Sequence, residues 1–473
     1  MTSTDPPHRP ILIVLTSHWI AMAGVALVTL AGFSWLFLLL TNVGGQASNP
    51  YLGLLTAFAV PIVFVAGLAL IPVGIALGRR KVTAGLDSEG NRRSAWRRAG
   101  LFFAIMTVVN LAIASQATYR AVEHMETVQF CGQTCHVMQP EFTAHLQPRH
   151  QAVGCGSCHI APGATGWVKA KMAGTSQLIS VVFNSYPRPI ESAMENNKLV
   201  SSAETCEQCH ARGLAIGSRL RTIVKYKDDE SNSRTDTVLM MLVGGGASGG
   251  IHGAHMGPGV HIRYAAADKK RQTIPWVEYE NTQTKTMRAY LAAGAKADSG
   301  LPTFEMQCVD CHNRAAHSFE TAEHAVDDAI TGGRISSSLP FVKKTGLALI
   351  QVEYKSAEEA EGKIASGLAA FYREKHPDVL AKRSNDIQIA ARALSAAYNR
   401  NVFPDLRVTW GTYPNNLGHM DAPGCFRCHD DAHATSEKKT ITQDCSACHQ
   451  ALAMDETAPP ILKTLGLGDI TAK

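Results

Sequence analysis

The chemistry in this sequence lies in cysteines that come in twos, each pair followed at once by a histidine. There are twelve cysteines and none stands outside a pair. Five pairs share one spacing. They are CGSCH with Cys155, Cys158 and His159, CEQCH with Cys206, Cys209 and His210, and CVDCH with Cys308, Cys311 and His312. CFRCH follows with Cys425, Cys428 and His429, then CSACH with Cys445, Cys448 and His449. Two thiols a turn apart can both reach the vinyl groups of one porphyrin, and the histidine behind them meets the iron. That is the pattern of covalent haem c attachment, so all ten of these cysteines are expected to bond a porphyrin. Other uses of paired cysteines fit poorly. A disulfide framework needs no histidine after every second cysteine. Zinc ribbons use pairs of C-x-x-C without that histidine, and a thioredoxin-type motif occurs once, beside a βαβ unit.

The remaining pair, Cys131 and Cys135 in FCGQTCHVM, has three residues between its thiols rather than two, yet His136 follows immediately. A bulged loop can absorb the extra residue, which predicts a sixth haem. A disulfide is the alternative reading, since cysteine pairs outside the cytoplasm oxidise.

Six irons with two axial ligands each need twelve donors. His136, His159, His210, His312, His429 and His449 supply one apiece, and eleven further histidines follow the apolar segments. His317 and His433 lie a few residues past their own motifs. They are too close to fold back onto the same iron but are placed to reach a neighbour. His419 precedes CFRCH on a short Gly/Pro approach, and one of His145 and His150 is expected to serve. In GGGASGGIHGAHMGPGVHIRY, one or two of His252, His255 and His261 are expected to face a porphyrin. His324 and His376 sit in polar, helical surroundings and read as surface residues. Mostly bis-histidine ligation favours low potentials, whereas methionine raises them.

The elements that must carry these sites begin with three uncharged apolar runs: Ile11–Leu40, Leu54–Leu77 and Gly100–Ala117. A bilayer crossing takes about 20 apolar residues, so three transmembrane helices are expected. Arg79, Arg80, Lys81, Arg92, Arg93, Arg97 and Arg98, less Asp87 and Glu89, account for the whole net charge of +5. The excess is therefore a topology signal rather than a nucleic-acid surface. By the positive-inside rule this loop is cytoplasmic, and everything after Tyr119 lies outside. A cleaved signal peptide is the alternative for the first run, which is long for one. His18, alone in these spans, has no histidine partner for a b-type haem.

The expected fold is mainly α: a membrane anchor over residues 1–120, then a loop-rich, mostly helical extracytoplasmic domain with little β structure. Haems one to three crowd into 121–215. Residues 216–318 read as a linker with haem four and a small β element at HIRYAAA and PWVEYEN. From Phe319 the pattern turns helical, with a capping box at Ser356–Glu359, giving a spacer over 319–405. Haems five and six occupy 406–473.

Three features together resemble the NapC/NirT family of membrane-anchored multihaem quinol dehydrogenases: an apolar helix leading into the first motif, CHVM with Met138 two past the histidine, and a close second motif followed by GWVKAKMAG. The match covers roughly Ala117–Ser180, with looser similarity in CHNRAAH and GCFRCHDDAH, which resemble the larger three-helix-anchor members. The resemblance implies a first haem at the outer membrane surface, Met138 able to replace His136 on its iron, and a lysine in the quinol pocket, for which Lys169 and Lys171 match. The acid that often accompanies that lysine is absent, since Ile160–Ile190 has no Asp or Glu. Glu123, His124, Glu126 and Glu141 are the local groups able to accept quinol protons.

The function expected is a hexahaem cytochrome c of the bacterial cytoplasmic membrane. It would oxidise menaquinol or ubiquinol and pass electrons to a periplasmic cytochrome or terminal reductase, with a membrane complex as a further partner. The alternatives are a multihaem reductase acting on a small oxyanion or nitrogen compound, and a non-redox anchor subunit.

Overall fold

The computed structural model describes residues 11–42, 59–85, 89–134, 136–147, 149–210, 217–244, 249–296 and 300–467. Cys135 and the segment 43–58 lie outside the described residues. The chain divides into two units, Met1–His136 and Val137–Lys473.

In the first unit, helices α1 (Trp19–Asn42), α2 (Val60–Gly85) and α3 (Glu89–Met125) follow a short helical turn at Ile11–Leu15. The first apolar run is interrupted at Thr16–His18. There the Thr16 and Ser17 hydroxyls donate to the Leu12 and Val14 carbonyls, and Ile20 N–H donates to His18 Nδ1. The helix resumes at Trp19 and runs uncharged to Asn42, of which Trp19–Ser34 is the apolar part among the described residues. Two helices among the described residues, not the three expected, are long and apolar enough to span: Val60–Gly78 and Arg92–Met125. Small residues let α1 and α2 approach closely, as in membrane bundles. A Cβ on Gly74 would meet Ala21 N at 2.2 Å, and one on Gly24 would meet the Gly67 carbonyl at 2.7 Å. Helix α3 runs for 37 residues, about 55 Å at the α-helical rise, so it outlasts the hydrocarbon core.

The second unit mixes helices with two antiparallel sheets. Strands β1 (Arg219–Tyr226), β2 (Arg234–Met241) and β7 (His449–Glu456) form one, in the order β1-β2-β7. The other runs β5-β4-β3-β6, from β3 (Val260–Ala265), β4 (Trp276–Asn281), β5 (Thr286–Leu291) and β6 (Thr303–Glu305). The β3–β4 pair is the expected hairpin-like element, in the register Val260↔Asn281 to Ala265↔Trp276. The other five strands correct the expectation of little β structure. The central β2, RTDTVLMM, is buried on consecutive positions and so lacks the alternation that marks a half-exposed strand.

Helix α4 (Gly163–Val182) follows the second motif, and the seven-residue α5 (Gly250–Met256) follows β2. Helices α6 (Ala322–Thr331), α7 (Val342–Ile350), α8 (Ala357–Lys375) and α9 (Pro377–Asn401) occupy the stretch read as helical. They share a core built on Ile364, Leu368, Tyr372 and Leu394, all fully buried. Ser356 caps α8 by accepting from Glu359 N–H, while the Glu359 carboxylate accepts from Lys355 rather than from Ser356. Inside the module Lys343 and Asp327 pair at 2.6 Å, each almost wholly buried.

Candidate haem sites

Each regular motif folds as a single tight turn. The histidine N–H donates to the carbonyl of the first cysteine at 3.1 Å for His159, 2.8 Å for His210 and His312, and 3.0 Å for His429. In the last motif Cys448 N–H donates to the Cys445 carbonyl. The stretched first motif differs: Phe130–Thr134 is a π turn, whose wider ring accommodates one more residue than an α turn. No described cysteine forms a disulfide.

The thiols are not equally sheltered. Cys131, Cys155, Cys158, Cys206, Cys308, Cys311, Cys425, Cys428 and Cys448 are half-buried, whereas Cys209 and Cys445 are exposed. Cys209 follows the 3-10 turn Cys206–Gln208 and stands between Gln208 and His210, which are exposed as well. Cysteine is ordinarily among the most buried residue types. The protein fold alone therefore leaves a thiol of the third motif and one of the last motif open, room that suits a bulky bonded group. Burial raises the Cys158 thiol, with Cys206 and Cys209 adding to the shift, which sets the second and third attachment pairs beside one another.

The ring of every regular motif histidine faces a second imidazole. Ring centres lie 6.1 Å apart for His159 and His317, 6.2 Å for His210 and His150, and 6.2 Å for His312 and His252. They lie 5.7 Å apart for His429 and His255 and 6.2 Å for His449 and His419. With a metal–imidazole bond of about 2 Å and roughly 1 Å more to each ring centre, imidazoles on opposite sides of one metal ion sit about 6 Å apart. The pairs come from distant chain positions, so helix or strand periodicity cannot account for them.

Hydrogen bonds orient several of these rings for coordination. His150, His255, His317 and His429 each have Nδ1 within 2.7–3.0 Å of a backbone carbonyl, those of Ala315, Ile251, Glu141 and Thr442. A carbonyl only accepts, so Nδ1 carries the proton and Nε2 keeps its lone pair, the tautomer a metal requires. Burial, the largest cause, pulls His317 down to about 4 and lowers His159, His255 and His312. Those rings are neutral at pH 7, as ligands must be. No cluster of three or more His, Cys, Asp or Glu side chains suited to a bare metal ion occurs among the described residues. Two-imidazole sites beside paired thiols suit iron whose other four ligands belong to a porphyrin. The residues fit haem c.

The remaining histidines separate clearly. His145 is buried 5.9 Å from His317, with neither ring nitrogen hydrogen-bonded. His433, expected to reach a neighbouring iron, is placed otherwise: Nδ1 lies 2.9 Å from an Asp430 carboxylate oxygen and Nε2 2.7 Å from the Ile274 carbonyl, so both ring nitrogens are engaged within the protein. His261 pairs with Glu305 at an exposed edge. His324 is exposed, as expected, but His376 is half-buried against Phe341 and Phe371 rather than on the surface.

The attachment loops are tied to one another. Ser202 N–H donates to Gln307 Oε1 at 2.9 Å, linking the approaches to the third and fourth motifs. Asp310, between the cysteines of the fourth, is buried and accepts from Gln307 N–H, the Tyr264 hydroxyl and Arg271 Nη1. Arg427, inside the fifth, donates to the carbonyls of Gly424, Arg271 and Asp310. Gly424 (φ 51°) folds against the Gly418 carbonyl, where any Cβ would collide. That tight return lays His419 flat on Phe426 at 4.4 Å while it faces His449. Sequence reasoning missed Asp310, Arg271 and Arg427, because nothing local distinguishes them from solvated charges.

Of the residues proposed to meet quinol, Met138 ends the short 3-10 turn His136–Met138 and is half-buried. Lys169 is exposed on α4, and Lys171 Nζ lies 5.3 Å from the Trp167 ring centre. Helix α4 buries none of its residues and exposes Trp167, Val168, Met172, Leu178, Ile179 and Val182. Glu141 is raised to about 7 by burial, against relief from Arg314 and Tyr413. Glu123 pairs with Arg120 at the end of α3.

Among known proteins, the chain is similar to the cytochrome c-type protein ImcH of Geobacter sulfurreducens. The two are 35% identical over 423 residues, which are 85% of this chain and 82% of that protein. No family model and no solved structure matches the chain, so the likeness to NapC/NirT proteins rests on the motifs alone. With its attachment motifs and its share of that sequence, the chain belongs to the family of the cytochrome c-type protein ImcH and is a multihaem c-type cytochrome with covalently bound haem.

Proposed function

We propose that this protein is a membrane-bound hexahaem cytochrome c that takes electrons from quinol and passes them to an extracytoplasmic acceptor. The observation that carries this reading is the set of five facing imidazole pairs at 5.7–6.2 Å. Haem bound there supplies one-electron transfer at low potential. The chain's own residues attach the groups, fix each ring and hold the imidazoles neutral. Cys131, Cys135 and His136 make the sixth site, with Met138 able to complete it.

The basic residues at the end of α2 (Arg79–Lys81) and the start of α3 (Arg92–Arg98) belong on the cytoplasmic side, which sends α3 outward whether or not α1 also crosses. Residues after Met125 then lie outside. The uncovered apolar face of α4, with Lys169 and Lys171 beside it, supports a quinol entry at the membrane surface. Menaquinol and ubiquinol both fit this reading, and a periplasmic cytochrome or terminal reductase fits as acceptor, within a membrane complex or apart from one. The competing reading, direct reduction of a small oxyanion or nitrogen compound, needs an iron with an open side. The five regular motifs disfavour it, because each histidine already faces a second imidazole.

The test is reduction of the purified full-length protein by a quinol analogue. Lys169→Ala and Lys171→Ala are expected to slow haem reduction by quinol while leaving reduction by dithionite unchanged. Rates indifferent to both substitutions and to quinone-site inhibitors would overturn the quinol assignment.

A further inference from the structure

We infer that α5 supplies distal iron ligands to two different haems, His252 to the haem on Cys308/Cys311 and His255 to the haem on Cys425/Cys428, and so makes the fourth and fifth sites one two-haem unit. The inference rests on the multihaem reading above and adds which ring serves which site.

Three independent relationships carry it. The first is ring placement. His252 faces His312 at 6.2 Å and His255 faces His429 at 5.7 Å, although they stand only three residues apart on one seven-residue helix. Three residues advance about 4.5 Å along an α-helix and turn the side chain by roughly 60° from its starting direction. One short helix can therefore address two neighbouring sites without unwinding.

The second is how α5 is held. Its first turn is pinned to the end of β2, with Ile251 N–H donating to the Leu242 carbonyl and His252 N–H to the Val243 carbonyl, both at 2.9 Å. Gly250 (φ 70°) passes so close to Gly244 that a Cβ would lie 2.6 Å from the Gly244 Cα. The helix is thus fixed by main chain at its start, and both histidines move with it. The His255 Nδ1 bond to Ile251 adds a lock on ring rotation.

The third is the direct bonding of the two attachment loops. Arg427 of CFRCH reaches the Asp310 carbonyl of CVDCH at 2.7 Å, and Asn416 Nδ2 reaches the same oxygen at 3.1 Å. The two loops are therefore clamped on their thiol side by Arg427 and on their distal side by α5. No other pair of regular motifs has its distal histidines on a single helix.

The experiment uses full-length protein with its haem count verified by intact mass. His252→Met and His255→Met are each expected to keep all haems and convert one from bis-histidine to histidine–methionine ligation. That change is read as a raised potential for a single haem and as the near-infrared charge-transfer band of methionine ligation. In a background without the fourth haem (C308S/C311S), His252→Met should have no spectral effect while His255→Met keeps its own. The reverse should hold in C425S/C428S. Should those backgrounds fail to accumulate, double variants decide: His252→Met with His312→Met should move one potential, and His252→Met with His255→Met should move two. Both distal variants acting on one haem, or either acting without its partner motif, would overturn the inference with the cytochrome reading intact. A wild-type mass lacking haem on the fourth and fifth pairs would instead overturn the reading itself.

Discussion

Arg427, within the fifth attachment loop, donates through Nη2 to the carbonyl oxygen of Asp310, within the fourth, at 2.7 Å. Two loops 114 positions apart in the chain, counting from Cys311 to Cys425, are joined by one guanidinium that also holds the Arg271 and Gly424 carbonyls. Replacing it with alanine removes all three bonds. Arg427→Ala should cost about 2–3 kcal/mol, the scale of charge-assisted hydrogen bonds. The check is a lowered thermal midpoint accompanied by shifted potentials for two haems, with Arg427→Lys intermediate. An unchanged midpoint would show that the clamp does not matter.

Asp310 itself answers a buried cation. Arg271 Nη1 lies 3.1 Å from its carboxylate, with the side chains only 11% and 3% exposed. Deleting one partner of a buried pair leaves the other charge stranded, at about 3–5 kcal/mol. Asp310→Ala is expected to cost that much and to lower the yield of protein carrying the fourth haem. Asp310→Asn, which keeps an acceptor oxygen, should cost less.

Glu141 gives a pH dependence with a definite sign. Its carboxyl moves from 4.5 to about 7 because burial disfavours the charged form. The folded state therefore prefers the proton. The contribution is fully present below pH 4.5 and is lost as pH rises through about 7. Glu141→Gln should flatten this part of the stability profile and raise the midpoint relative to wild type above neutral pH. Parallel profiles for the two proteins between about pH 5 and pH 8 would contradict it.

Intact mass settles the stretched motif. Wild-type protein is expected to carry six haems and C131S/C135S five. Equal masses, after correction for the two substitutions, would mean that the π turn at Phe130–Thr134 carries no porphyrin.

The helical module offers a control whose core contains no motif cysteine or histidine. Leu394 is fully buried and packs against Gly346, where an added Cβ would lie 2.9 Å from its Cδ2. Leu394→Ala should cost about 2–5 kcal/mol. Because that core is built without porphyrin, haem content per folded molecule should stay constant. A matching loss of haem would show that the module and the sites fold as one.

What could be read from the sequence follows how local each signal is. The attachment motifs are covalent requirements met within five residues, so they are visible without a fold. How far each thiol is sheltered is not, and nothing in CEQCH marks Cys209 as more open than Cys158 in CGSCH. Distal ligands are equally hidden. His317 and His433 looked equivalent, each a few residues past a motif, and only the Asp430 carboxylate and the Ile274 carbonyl tell them apart. The glycine-rich run did mark His252 and His255, since close main-chain approach needs glycine, but not that both would be used. The first apolar run read as one span because Thr16, Ser17 and His18 are uncharged, yet their hydroxyls and ring satisfy main-chain groups and break the helix there. Strand β2 went unread for a related reason: buried over consecutive positions, it has no period of two.

The pairing of β7 with β2 brings Met241 opposite His449. The histidine proposed to meet the last iron is thus the first residue of a strand whose partner was made some two hundred codons earlier. A product cut short before that point would leave an unfinished edge and a final cysteine pair with no imidazole behind it. One residue thus closes the strand partnership and completes the last attachment motif, so the two form together.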